Sequence, residues 1–295
     1  MKTLQGTLTA LVTPFRDGKL DMAALERIVG KQLEASVDGL VPCGTTGESP
    51  TLSEAEQREV VSCVVRLAGG RIPVVAGSGT NSTTRTIELA RRNADCGADA
   101  LLVVAPYYNK PSQAGLLRHF SAVAAATDLP IVLYNIPGRC GVEISIETIR
   151  RLRAEHGNIV AVKHATGSVA GAADLMAACD LPVLSGDDPL TLPLMSLGAV
   201  GVISVLSNLV PRAVKRLTDA ALHGDFATAQ AVHRKLFPLA RALLSLDVNP
   251  VPIKAAMALQ GWCSDELRLP LCGLSEENGR KLAHLVGDCG LVIGR

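Results

Sequence analysis

Aromatic residues are scarce in this 295-residue chain, which has one Trp, three Tyr and four Phe. The scarcity argues against base-stacking platforms and aromatic-lined peptide grooves. No charge predominates either. Twenty-nine basic side chains face 28 acidic ones, a formal net charge of +1, whereas nucleic acids and membrane surfaces call for a basic excess. No run approaches the roughly 18–20 apolar residues that span a bilayer. The opening stretch, MKTLQGTLTALVTPF, lacks the long apolar region and small-residue cleavage site of a signal peptide. Cys43, Cys63, Cys96, Cys140, Cys179, Cys263, Cys272 and Cys289 form no C-x-x-C pair, and the six His form no H-x-x-H or H-E-x-x-H pair. The cysteines are therefore expected to pack as reduced small hydrophobes, and no metal site is indicated. Apolar residues are plentiful, at 48% against 19% charged, enough for a large core. These features point to small-molecule chemistry in a soluble cytoplasmic protein, with no nucleic acid or membrane partner.

Eight short apolar runs punctuate the chain: 8–12, 39–43, 72–76, 100–105, 130–134, 159–163, 182–185 and 200–205. They are nearly continuous rather than alternating, as in parallel strands covered by helices. The segments between them have helical starts. Ser53 with Glu56 three residues on makes a capping box, and Asn81, Ser112 and Ser145 open the next segments. Gly97 and Gly157 are read as terminators. Pro42 and Pro73 fall inside two strand runs and count against them. The eight βα units predict an α/β protein with a (β/α)8 TIM barrel over residues 1–224; a doubly wound, flavodoxin-like sheet is the alternative. Residues 225–295 carry only helical patterns and are expected to form a C-terminal helical extension.

Barrels of this kind place reactive groups at the C-terminal ends of their strands. Of the nine Lys, only Lys163 completes an apolar strand run, IVAVK. Burial there disfavours the ammonium and is expected to lower its pKa, leaving an amine able to form a Schiff base with a ketone. The competing reading is a structural Lys paired with Glu48 or Asp187. GTTGES at 44–49 lacks the Gly-Lys-Ser/Thr of a Walker loop, and Gly77-Ser78-Gly79 lacks the third dinucleotide glycine. It either holds a carboxylate on the Thr45 and Thr46 amides or is a plain tight turn. Tyr107, Tyr108 and Tyr134 all lie next to strand ends, as reactive hydroxyls or as packed rim residues. Arg139 either forks onto a carboxylate or is a solvated loop residue. Strand alternation turns His164 away from Lys163, while His119, His156, His223, His233 and His284 are read as solvated.

Together the strand ends are recognisable. ALVTPF at 10–15, GTTGES, PYYNKPSQ at 106–113, YNIPGR at 134–139, Lys-x-Ala-Thr-Gly at 163–167, SGDD at 185–188, GVISV at 201–205, NPVPIKAA from 249 and LRLPL from 267 span nearly the whole chain. The chain resembles the dihydrodipicolinate synthase family of pyruvate-dependent class I aldolase-like barrels. That resemblance implies a Schiff base between Lys163 and pyruvate, whose carboxylate sits against Thr45 and Thr46. The derived enamine would attack L-aspartate 4-semialdehyde, a lyase reaction of diaminopimelate and lysine biosynthesis. Thr45, Tyr134 and Tyr108 match the family's proton relay, with Tyr108 reaching into a neighbouring subunit. Arg139 matches the group that grips the semialdehyde carboxylate, and Gly186 and Ile203 match pocket-lining positions. No cofactor beyond the covalent pyruvate is implied, and the assembly expected is a homotetramer built as a dimer of dimers.

The chain departs from the family pattern in two respects. His164 stands where many members have Glu. Ser49, Asn81 and Tyr107 match the family's lysine site, but Glu54, Gln57 and Arg85 replace the two His and a Glu of lysine-inhibited members. An Arg in place of an acidic partner repels the ligand ammonium, so L-lysine is expected to inhibit weakly or not at all. The alternatives are a 2-keto-sugar-acid or N-acetylneuraminate aldolase, which would keep Lys163 but have little use for Arg139, and a catalytically dead barrel that binds a keto acid.

Overall fold

The computed structural model describes residues 3–288; Met1, Lys2 and residues 289–295, Cys289 among them, lie outside it. Eight strands pair in parallel: β1 (Gly6–Ala10), β2 (Gly39–Val41), β3 (Val75–Gly77), β4 (Ala100–Val104), β5 (Ile131–Asn135), β6 (Ile159–His164), β7 (Val183–Ser185) and β8 (Gly201–Ser204). Their order is β2-β1-β8-β7-β6-β5-β4-β3, and a parallel bridge between Leu40 and Val74 joins the two ends. The sheet is a nearly closed barrel, not a doubly wound open sheet.

Both faces of each strand are buried, which is why the sequence runs are apolar throughout. In β5, Val132 and Tyr134 point into the barrel with Leu8, Val75, Leu102, Ala161, Leu184 and Ile203. Ile131 and Leu133 point outward into the larger layer between barrel and helices. Two strands start elsewhere than the apolar runs suggest. β1 begins at Gly6 rather than at residue 8, because its outward residues are Thr7 and Thr9. Their hydroxyls are satisfied by Thr218 Oγ1 and Gln32 Oε1, each at 2.8 Å. β3 begins at Val75 rather than at residue 72. Pro73 lies just before it and Pro42 just after β2, so neither has to donate to the ladder. Each supplies only its carbonyl, to Leu40 N at 3.0 Å and to Gly77 N at 2.9 Å respectively.

Helices α1 (Met22–Glu34), α2 (Glu54–Ala68), α3 (Thr83–Asp95), α4 (Gln113–Ala124), α5 (Ile146–Glu155), α6 (Val169–Ala178), α7 (Thr191–Ser196) and α8 (Pro211–Leu222) follow the strands in turn. The Ser53–Glu56 capping box forms, and Ser112 and Ser145 cap α4 and α5. The cap of α3 is Ser82 rather than Asn81, because Thr80 Oγ1 accepts the Ser82 amide and turns the chain one residue later. Gly97 adopts a left-handed φ of +86° just past α3. Gly157 does not terminate α5, which stops at Glu155 with His156 already extended.

The C-terminal part comprises α9 (Phe226–Ser245), α10 (Val251–Leu259) and α11 (Glu276–Asp288). α9 packs on α8, and α10 and α11 pack on α9 and on each other. Among the described residues no helix is long and apolar enough to cross a membrane. The seven described cysteines are free, and burial pushes the Cys43 thiol up to about 12 and those of Cys140 and Cys263 to about 11. His119 is not solvated as expected. It lies on the buried face of α4, with Nδ1 2.9 Å from Thr83 Oγ1 of α3, and burial pulls its pKa down to about 4.

Candidate functional site

Lys163 lies near the C-terminal end of β6, in register with Tyr134 on β5. Both are buried inside the barrel wall, and Lys163 Nζ stands 4.1 Å from the centroid of the Tyr134 ring. His164 faces the other way, as alternation requires, with Nε2 donating to the Ser168 carbonyl at 3.0 Å. Gly186 follows β7 and gives the lysine its space. A Cβ there would come within 2.6 Å of Ala165 Cβ and 3.1 Å of Lys163 Cε. Ile203 on β8 belongs to the same interior cluster as Tyr134. Half-buried Asp187 is the acidic group near Lys163. Burial pushes its carboxyl above the usual range, against the opposing pull of Lys163 and His164.

Among the described residues no carboxylate forms an ion pair with Lys163. Glu48 is engaged elsewhere: its Oε1 accepts from Lys254 Nζ at 2.7 Å and its Oε2 from the Arg268 amide at 3.1 Å. Lys254 also donates to the Thr13 carbonyl at 3.0 Å, and both side chains of the Glu48–Lys254 pair are fully buried. The structural lysine of this barrel is therefore Lys254, and Lys163 is in no ion pair among the described residues, with Asp187 its nearby acidic group. Arg268 continues the anchor outward through a two-nitrogen contact with Glu56, which holds the Glu56 carboxyl down at about 2.

Anchored in this way, Glu48 takes a left-handed φ of +52° and closes the GTTGES turn, its amide donating to the Thr45 carbonyl at 3.1 Å. The amides of Thr45 and Thr46 make no hydrogen bond to a protein acceptor among the described residues. Two free N–H donors at a strand end make a cradle for an anion. Arg139 sits on the short helix Pro137–Cys140 after β5 and is exposed, but it is not simply solvated. Its Nη2 donates to the Asn249 carbonyl at 2.8 Å, and Asn249 Nδ2 donates to Thr46 Oγ1 at 3.1 Å.

The structure thus brings Lys163, Tyr134 and Gly186 into contact, with Ile203 in the same wall, and links Thr46 to Arg139. Tyr108 stands apart from them. Its side chain is 88% exposed on a residue with a left-handed φ of +73°, while Tyr107 is half-buried against the outer core. Of the positions matched to a lysine site, Ser49 and Asn81 have carbonyls engaged by Gln57 and Asn109, Glu54 pairs with Arg92, and Arg85 is exposed. Sequence reasoning missed Asn249, Lys254 and Arg268. Lys254 carried the signal that singled out Lys163, a lysine inside an apolar run (VPIKAAMAL). Among the described residues no group of three His, Cys, Asp or Glu side chains is arranged to hold a metal.

The model of the dihydrodipicolinate synthetase family matches residues 3–288. The 4-hydroxy-tetrahydrodipicolinate synthase of Pelobacter propionicus is 50% identical over 290 residues, covering 98% of this chain and 99% of that protein. The solved dihydrodipicolinate synthase of Aquifex aeolicus matches with a TM-score of 0.97 at 44% identity, over 99% of this chain and 100% of its own. The chloride-inhibited dihydrodipicolinate synthase of Acinetobacter baumannii, complexed with pyruvate, matches with a TM-score of 0.96 at 42% identity, over 98% and 100%. Barrel and helical part are matched alike, and the chain belongs to the dihydrodipicolinate synthetase family.

Proposed function

We propose that this protein is a lyase that condenses pyruvate with L-aspartate 4-semialdehyde, the 4-hydroxy-tetrahydrodipicolinate synthase reaction of diaminopimelate and lysine biosynthesis. The observation that carries this is the buried Lys163 amine, in no ion pair among the described residues and placed against Tyr134 at a strand end.

Lys163 Nζ adds to the keto carbon of pyruvate, and loss of water gives the imine; no external cofactor takes part. The free Thr45 and Thr46 amides take the pyruvate carboxylate. Loss of a methyl proton gives the enamine, whose carbon attacks the aldehyde and forms the C–C bond while the aldehyde oxygen gains a proton. The amine of the semialdehyde portion then attacks the imine carbon, closing the ring and returning Lys163 as the free amine. Thr45, Tyr134 and Tyr108 serve as the proton relay, because imine chemistry needs hydroxyls that both give and take protons. Arg139 holds the second carboxylate as a planar fork, and Gly186 and Ile203 wall the pocket.

The exposed Tyr108 supports a relay completed by a neighbouring subunit, in a cytoplasmic homotetramer arranged as a dimer of dimers. The domain division at 224/225 stands in this reading as a catalytic barrel over the described residues 3–224 and a helical part over 225–288 that braces it; 1–2 and 289–295 lie outside the described residues. With Arg85 and Glu54 in place of lysine-binding partners, L-lysine inhibits weakly or not at all; micromolar inhibition in a steady-state assay would overturn that.

Borohydride trapping with pyruvate, followed by intact mass and peptide mapping, tests the chemistry. One reduced pyruvyl adduct on the Lys163 peptide is expected, and none in Lys163→Ala. A folded protein that gives no adduct would leave only a keto-acid-binding barrel. Pyruvate release from N-acetylneuraminate, with no turnover of the semialdehyde, would move the activity to the aldolases.

A further inference from the structure

We infer that Asn249, at the entry to α10, is a positioning residue that sets the polarity of the Thr46 hydroxyl and the place of Arg139. The inference rests on the proposed function only for the identity of the two ligand carboxylates. A Thr hydroxyl has one proton and two lone pairs. Asn249 Nδ2 donates into Thr46 Oγ1 at 3.1 Å, and the hydroxyl has no other protein partner among the described residues. With a lone pair engaged by an N–H, the hydroxyl proton is left to donate to a ligand, which is the polarity an incoming carboxylate needs. An oxygen in place of Nδ2 would capture that proton and turn a lone pair towards the anion.

The backbone of the same residue does a second task. The Asn249 carbonyl accepts from Arg139 Nη2 at 2.8 Å, so a long and exposed side chain is docked at a fixed place relative to Thr46. One residue therefore spaces the two groups assigned to the two carboxylates. The other end of the amide, Oδ1, is buried without a hydrogen-bond partner. Leaving a buried acceptor unmade costs stability, so this amide serves the site and not the fold.

The test uses the full-length protein. Half-saturation of pyruvate-dependent borohydride trapping is measured for Asn249→Ala and Asn249→Asp, alone and in a Thr46→Val background, with the steady-state KM for each substrate. Asn249→Asp is expected to raise the pyruvate half-saturation by about tenfold, the scale of one oriented hydrogen bond. Asn249→Ala should raise it less, because alanine leaves the hydroxyl proton free. Both effects should vanish in the Thr46→Val background, and the semialdehyde KM should stay within about twofold, since the backbone carbonyl is unchanged. A purely structural residue would give the reverse order, because aspartate is the isosteric replacement. That order, an unchanged half-saturation in Asn249→Asp, or effects that persist without the Thr46 hydroxyl would each overturn the inference. A wild-type protein that traps pyruvate but leaves the semialdehyde unconsumed would defeat the proposed function alone, since the Asn249 effect is read on pyruvate. No wild-type adduct at all would defeat both.

Discussion

A single methyl group at residue 186 tests how closely Lys163 is placed. Its carbon would intrude on Ala165 Cβ and Lys163 Cε, and the lysine chain is the softer of the two. Gly186→Ala should therefore shift Nζ and lower kcat about a hundredfold, as a misplacement near 1 Å does, and should also lower the urea midpoint, because the 2.6 Å contact falls on Ala165 Cβ rather than on a flexible chain end. Parallel kinetic and unfolding measurements check this. His119 gives a pH prediction of a different kind. Its folded pKa of about 4 lies below the ordinary 6.5, so the unfolded chain binds the extra proton between those values. Its contribution is complete above pH 6.5 and is lost as the pH falls towards 4, up to about 3 kcal/mol. In His119→Gln the unfolding free energy should fall less between pH 7 and 4.5; an equal fall would refute the assignment. At this scale legibility was uneven. Lys163 was visible because a cation is conspicuous at the end of an apolar strand. Asn249 was not, since its tasks depend on a carbonyl and on a contact spanning 203 positions.

The elements were more readable than their joints. All eight apolar runs overlap the strands as continuous stretches because both faces are buried, and Ser caps announce the starts of α2, α4 and α5. The exceptions have local causes. Thr7 and Thr9 hide the start of β1 because helix side chains take up their hydroxyls, and Pro73 delays β3. What no periodicity reveals is which element locks which. The GTTGES turn is held by a charge from α10, across the Glu48–Lys254 pair. Removing one partner leaves a buried charge unmatched, so Lys254→Met should cost about 3–5 kcal/mol in urea unfolding. Combining it with Glu48→Gln should restore part of that loss. A double variant as unstable as the sum of the singles would mean that the pair acts independently.

For the whole molecule, the exposed Tyr108 is the decisive surface feature. If it completes a neighbour's relay, mixed assemblies of Tyr108→Phe and Lys163→Ala chains, each nearly inactive alone, should recover activity. The recovered sites would combine Lys163 of one chain with Tyr108 of the other. Mixtures no more active than their parents would confine Tyr108 to the site of its own chain. The tie between the GTTGES turn and residues 249–268 also bears on how the protein comes into being. A ribosome that has released all eight strands has not yet delivered a finished site, because Glu48 still waits for Lys254 and for the Arg268 amide, and Thr46 for Asn249. Until then the nascent barrel holds a carboxylate it cannot bury without a large penalty. The GTTGES turn thus gains its ordered surroundings only near the end of synthesis, and a prematurely ended chain is marked by an open turn at the barrel mouth.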